Sequence, residues 1–217
     1  MGNRNYKSNI DKIIAYVRDL PYFSKKNLEI LGIKDYYLKI ALSRMEKSSK
    51  VIRLKKGMYA LTEFINKTKM DGNFSYYLEF IGSKIYSPSY LSLEYVLYEN
   101  NVLTDIPRNF TYVTINKPYI YKNKLGVFIY HKIKDELFTG YKIVRKGDFL
   151  IYKADKVKAM FDFLYLRKRI ILDESMANEL RLNIEVFNNK DRKKLKKYIE
   201  LEGLKRMKEI YQYIFEL

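Results

Sequence analysis

The chain has no cysteine and only one histidine, His131, in 217 residues. A disulfide framework and a thiol nucleophile are therefore excluded, and too few ligands remain for a structural zinc site or a histidine-built metal triad. Long apolar runs are also missing. None approaches the roughly 20 residues that span a bilayer, and the opening MGNRNYKSN lacks a signal-peptide core, so a cytoplasmic protein with no membrane role is expected. Nor is there a Walker A loop, a G-x-G-x-x-G or a G-x-S-x-G, the usual sequence signs of nucleotide and acyl chemistry.

What is abundant is positive charge. Forty-two Lys and Arg against 25 Asp and Glu leave +17, which calls for a polyanionic partner. AT-rich coding bias would raise Glu together with Lys, so it does not account for the surplus. Residues 1 to 67 hold 15 basic and 6 acidic side chains, so the first third carries over half of the net charge. At 47% hydrophobic residues the chain also has ample material for a packed core.

Periodicity organises that first third. Ser8 is placed to cap a helix over about 9 to 20, with Ile10, Ile13, Ile14 and Val17 on one face, and Pro21 ends it. Ser24 is a second N-cap candidate, for a short helix with Leu28 and Leu31 inward and Gly32 as its left-handed end. Asp35 is the expected cap of a third helix, 36 to 47, burying Leu38, Ala41, Leu42 and Met45. VIRLKKGMYAL then reads as a hairpin turning at Lys55, Lys56 and Gly57. This order predicts a winged helix-turn-helix over 1–67, with a boundary in the polar segment 66 to 73.

Residues 74–217 are expected to form an α+β domain with a small sheet and C-terminal helices, making the whole chain α+β. Helices are predicted over 74 to 83, 90 to 100 (started by Pro88 and Ser89), 154 to 166, 175 to 182 and 190 to 217. FTYVTI, GVFIYHKI, YKIV and DFLIYK are the expected strands. Tyr198, Leu201, Leu204, Met207, Tyr211 and Ile214 recur at helical spacing as packing positions.

On a helical wheel with Leu38 inward, Tyr36, Ile40, Ser43 and Lys47 fall on the opposite face, flanked by Lys39 and Arg44. Such a face suits a major groove, with Arg53, Lys55 and Lys56 of the hairpin reaching the adjoining backbone of double-stranded DNA. Tyr36 and Tyr37 either donate hydroxyls to phosphates or pack at the interface edge. Lys190 to Lys197 has six basic residues in eight, which is either an RNA- or acidic-protein-binding cluster or a solvated helix side.

No catalytic residue, cofactor or metal is expected. His131 shares strand parity with Val127, Ile129 and Ile133 and reads as a sheet residue at the edge of the core. A divalent-metal nuclease would need converging carboxylates. Asp148, regularly spaced from Asp155 and Asp162, is expected on a strand and the other two on the next helix, as caps and surface charges. Glu94 and Lys158 are candidates for an internal polar contact.

Three segments in order, IRLKKGMYAL, YSPSYLSLEYVLYENNVL and KADKVKAMFDFLYL, resemble the AbiEi antitoxins of type IV toxin-antitoxin, or abortive infection, systems. The second is similar to the family's Tyr-Leu-Ser-x-Glu helix. The third is similar to its Ala-x-x-Glu-Lys-Ala-x-x-Asp-x-x-Tyr stretch at Ala154, Lys158, Ala159, Asp162 and Tyr165, with Val157 in place of the Glu. The resemblance implies a transcriptional autorepressor that binds its own promoter through the winged helix. It also implies a second domain opposing a nucleotidyltransferase toxin, without a stable complex being required.

Overall fold

The computed structural model describes residues 8–216. The fold is α+β and divides into two compact units, one running to Ile81 and taking in Tyr121–Gly126, the other made of 82–120 and 127–217.

In the first unit, α1 (Asn9–Val17) starts with a capping box. Asp11 N donates to Ser8 Oγ at 3.2 Å, and Ser8 N donates back to the Asp11 carboxylate at 3.1 Å. Strand β1 (Phe23–Ser24) follows and leads into a 3-10 turn, Lys26–Leu31, closed by Gly32 at φ +63°. Ser24 is thus a strand residue instead of a helix cap. Its N–H and hydroxyl both donate to Asn27 Oδ1, each at 2.8 Å, which draws the chain into the tighter turn. Helix α2 (Asp35–Lys47) has Lys34 at its N-cap position. Asp35, expected as the cap, is the first helical residue, and its carboxylate is held between Lys25 and Lys39. Leu38, Ala41, Leu42 and Met45 are buried as their spacing requires, against Ile13, Val17, Phe23 and Leu28.

Strands β2 (Val51–Lys55) and β3 (Met58–Leu61) form the hairpin, and β1 completes a sheet of order β1-β3-β2. The turn is Lys56-Gly57, with Gly57 at φ +76°. Arg53 pairs with Tyr59 and Lys55 with Met58, so Leu54 is an extra residue in the strand, a β-bulge.

Helix α3 (Thr62–Met70) covers most of the polar segment expected as a boundary, and α4 (Phe74–Ile85) follows after Gly72. The first unit extends past 66–73 because Tyr77 on α4 packs its ring 5.8 Å from Phe64 and donates its hydroxyl to the Pro21 carbonyl at 2.9 Å.

The second unit is built on a sheet of order β6-β7-β5-β4-β9-β8. Its strands are β4 (Ser89–Leu91), β5 (Phe110–Thr114), β6 (Tyr119–Asn123), β7 (Gly126–Lys132), β8 (Tyr141–Lys146) and β9 (Phe149–Ala154). Residues 90 to 100 are not one helix. Tyr90 and Leu91 are in a central strand, antiparallel to β5 and parallel to β9, and α5 (Leu93–Glu99) begins only after Ser92. Ser89, Tyr90 and Leu91 are all buried, so pairing on both edges overrides the local start signals.

On β7 the fully buried parity is Phe128 and Tyr130, which stack on Phe110 and Tyr112 of the parallel neighbour β5 at 5.4 and 5.1 Å. His131, on the other parity, is half-buried. Asp148, expected on a strand, lies in the exposed turn between β8 and β9.

Helix α6 (Lys156–Arg167) is followed by α7 (Glu174–Glu179), α8 (Asn189–Glu202) and α9 (Lys205–Phe215). Gly203 at φ +81° divides the C-terminal helical stretch and shifts its phase. Leu201, off the Leu195 and Ile199 face of α8, and Leu204 beyond the break are exposed, whereas Met207, Tyr211 and Ile214 on α9 are buried. Among the described residues, no helix is long and apolar enough to cross a membrane.

Gly82 on α4 lets the second unit close. Its carbonyl accepts the Tyr130 hydroxyl at 2.6 Å, and a Cβ there would stand 2.1 Å from Tyr112 Oη. Gly82→Ala is expected to cost about 1–3 kcal/mol through overpacking, read as a lower midpoint in thermal or urea unfolding.

Candidate nucleic-acid interface

Helix α2 has two faces of opposite character, because the four residues that must be buried leave the intervening positions outside. Tyr36 is 69% and Tyr37 54% exposed, and Lys39, Ser43, Arg44 and Lys47 are exposed with them; Ile40 is half-buried. The two tyrosine rings meet edge to face at 5.5 Å. This leaves both hydroxyl-bearing rings at the start of the helix, outside the core.

The cations divide into two kinds. Lys39 Nζ lies 3.0 Å from Asp35, which also pairs with Lys25, and those two lysines hold the Asp35 carboxyl below its usual range. Arg44, Lys47, Arg53 and Lys56 have no ion-pair partner among the described residues, and all four are exposed. Lys55 differs from its neighbours. It is half-buried, and burial pushes its ammonium below the ordinary lysine value.

One group escaped the sequence reading. Tyr121–Gly126, the end of the β6–β7 hairpin, belongs to the first unit, and Asn123 Nδ2 donates to the Leu54 carbonyl at 3.0 Å. The flanking Lys122 and Lys124 are exposed. The turn-forming Asn and nearby Gly126 were a legible hairpin signal, but nothing local indicates where the hairpin's tip packs.

In the second unit, the segments around Tyr90 to Ser92 and Lys158 to Asp162 meet. Asp162 is fully buried on α6. Its Oδ2 accepts the Tyr90 hydroxyl at 3.0 Å and the Ser92 hydroxyl at 2.8 Å, and its Oδ1 lies 2.6 Å from Lys158 Nζ. Lys158, also fully buried, donates to the Leu137 carbonyl at 2.9 Å and lies 4.7 Å from the centre of the Phe161 ring. Burial pushes the Asp162 carboxyl up and the Lys158 ammonium down; the attraction between them opposes both shifts. With no exposed atom in the pair, this network joins elements together and presents nothing to a substrate.

Glu94 and Lys158, the candidates for an internal contact, are not partners: Glu94 pairs with Arg167, and Lys158 with Asp162. Nor do the three aspartates converge. Asp148 is in a turn, Asp162 is in the buried pair, and Asp155 caps α6 by accepting from Lys158 N at 3.0 Å while pairing with Lys194. Among the described residues there is no group of three His, Asp or Glu side chains suited to holding a metal.

The basic run on α8 is partly used up in the same way. Arg192 donates to the Phe187 and Phe215 carbonyls, Lys194 pairs with Asp155, and Lys196 pairs with Glu216 at 2.8 Å. Lys190, Lys193 and Lys197 remain exposed at i, i+3 and i+7, one stripe of the helix.

No protein-family model matches this chain, and no curated protein matches it in sequence.

Two outcomes follow from the second unit's electrostatics. Asp162→Ala leaves the Lys158 ammonium buried without its partner and is expected to cost about 3–5 kcal/mol in denaturant unfolding, whereas Lys158→Met combined with Asp162→Leu costs less than that single change. For His131, burial lowers the imidazole pKa in the folded protein. The unfolded chain therefore binds more protons just below pH 6.5, and stability rises with pH through that window and then levels off. Because His131 is the only histidine, its ring resonances give the titration directly by NMR. A midpoint at or above 6.5 would contradict the assignment, and His131→Gln should remove this component of the stability profile.

Proposed function

We propose that the first unit is a winged helix-turn-helix that binds double-stranded DNA, with Lys26–Leu31 and α2 as the helix-turn-helix pair and β2–β3 as the wing. The observation that carries this reading is the exposed face of α2, where Tyr36, Tyr37, Lys39, Ser43, Arg44 and Lys47 stand outside a core built from the same helix. The order of elements and the three-stranded β1-β3-β2 sheet support it. At 13 residues, α2 is about 20 Å long, and a B-DNA major groove about 12 Å wide admits an α-helix.

In this reading Ser43 and Lys47 face base edges. Arg44 and Lys39 contact phosphates, helped by the hydroxyls of Tyr36 and Tyr37. Arg53 and Lys56, the more exposed cations, carry most of the wing's contact, and the half-buried Lys55 adds to it.

The wider role is a transcriptional autorepressor and antitoxin opposing a nucleotidyltransferase toxin. It rests on the AbiEi resemblance. Support comes from Tyr90, Ser92, Lys158 and Asp162, the very residues that carry that resemblance, which interlock in one buried network. The exposed Lys190, Lys193 and Lys197 stripe favours an additional RNA contact by the C-terminal helices.

The deciding measurement is binding of the full chain to the duplex upstream of its own gene and to a random duplex of equal length. Ser43→Ala and Lys47→Ala are each expected to reduce preference for the upstream duplex by about 5- to 100-fold, the discrimination that one well-made base contact supplies. Arg53→Ala with Lys56→Ala should weaken both duplexes alike. Binding that does not respond to salt would overturn the phosphate-contact reading. For the antitoxin role, coexpression with a nucleotidyltransferase encoded beside this gene should restore growth, and continued toxicity would count against it.

A further inference from the structure

We infer that the tip of the β6–β7 hairpin, Tyr121–Gly126, is a second phosphate-contacting element beside the wing, acting through Lys122 and Lys124. The inference rests on the DNA-binding reading above and extends its surface to a segment distant in sequence.

The anchor is the bulge in β2. Arg53 pairs with Tyr59 and Lys55 with Met58, which leaves Leu54 without a partner residue in the ladder. Its carbonyl finds a donor in Asn123 Nδ2 at 3.0 Å. The other end of the same amide is engaged as well, since Asn123 Oδ1 accepts from Leu125 N at 2.8 Å. One side chain thus shapes the tip and docks it against the wing strand. The residues on either side of this contact are Arg53 and Lys55 on one strand and Lys122 and Lys124 on the other.

Charge points to the occupant. Segment 117–124 has three lysines and no acidic residue. Lys122, Lys124, Arg53 and Lys56 are all exposed, and none has an ion-pair partner among the described residues. Four uncompensated cations around one hydrogen bond repel one another, and a polyanion laid across them relieves that repulsion. A duplex backbone already engaged by the wing supplies one, with phosphates spaced regularly along each strand. Because both cations sit on a hairpin tip docked at the wing strand and act on phosphates, their contribution is independent of base sequence.

The test uses the full-length chain and the two duplexes described above, titrated over a series of KCl concentrations. Lys122→Ala with Lys124→Ala is expected to weaken both duplexes equally, by about 3- to 30-fold, and to lower the slope of log affinity against log salt by about 1–2. Asn123→Ala retains both lysines but frees the tip, so affinity should fall by about 2- to 5-fold, with a lower thermal midpoint but an unchanged circular dichroism spectrum of the folded chain. Lys122→Glu with Lys124→Glu should weaken binding further than the alanine pair, with the circular dichroism spectrum unchanged.

If Arg53→Ala with Lys56→Ala lowers affinity and slope while the hairpin variants match wild type, the hairpin inference is overturned and the winged-helix reading stands. If the wild-type chain itself shows no salt-dependent duplex binding, both fall.

Discussion

A carboxylate with no solvent exposure has to be satisfied from within, and Asp162 sets that condition for the second unit. Its two oxygens take a lysine on the same helix and two hydroxyls from the end of β4, while that lysine reaches the carbonyl of Leu137. The Coulomb attraction of such a pair barely offsets the cost of desolvating it, so its value is geometric. Only one placement of α6 against β4 and the turn Asp135–Leu137 satisfies every partner. A slip by one residue would leave a buried charge alone. The sheet order, with β4 inside it between β5 and β9, is consistent with that requirement.

The first unit follows a different constraint. Glu79 on α4 is buried within it, but the core around α1 and α2 is aliphatic and aromatic, from Ile13 and Phe23 to Leu38 and Met45. Polar chemistry is pushed outward as a result. On α2 the inward stripe leaves a cationic outer face, and Asp35 neutralises part of it at the helix start, where a negative charge also suits the helix dipole. The unpaired cations therefore lie further along α2, at Arg44 and Lys47, and on the wing at Arg53 and Lys56. The β2 bulge adds the docking point for Asn123, so a local irregularity of the backbone becomes a means of recruiting a distant hairpin.

Much of the first unit was legible. The buried positions of α1 and α2, the Lys56-Gly57 turn and the exposure of Tyr36, Ser43, Arg44 and Lys47 follow from spacing alone. The readings that failed did so for identifiable reasons. Ser24 and Asp35 are good capping residues taken by other partners, Asn27 in one case and two lysines in the other. Ser89 to Leu91 carries helix-start signals but is claimed by β5 and β9, and Gly203 ends α8 where the apolar repeat continues past it. In the run Lys190 to Lys197, composition overstated the free charge, because Lys194 and Lys196 are ion-paired and Arg192 is tied to backbone carbonyls.

What the sequence determined by itself is therefore what neighbours within a turn or two decide: helix faces, tight turns, and the concentration of positive charge in the first third. Their periods and signs are set by side chains a few positions apart, and no partner from elsewhere is needed. Only the tertiary structure decided that Tyr90 and Ser92 would meet Asp162 across 72 and 70 residues, that Glu94 would choose Arg167 over Lys158, and that Asn123 would cap a carbonyl 69 residues away. Those choices depend on which buried polar group is left without a partner once the chain has packed, and that is a property of the folded whole.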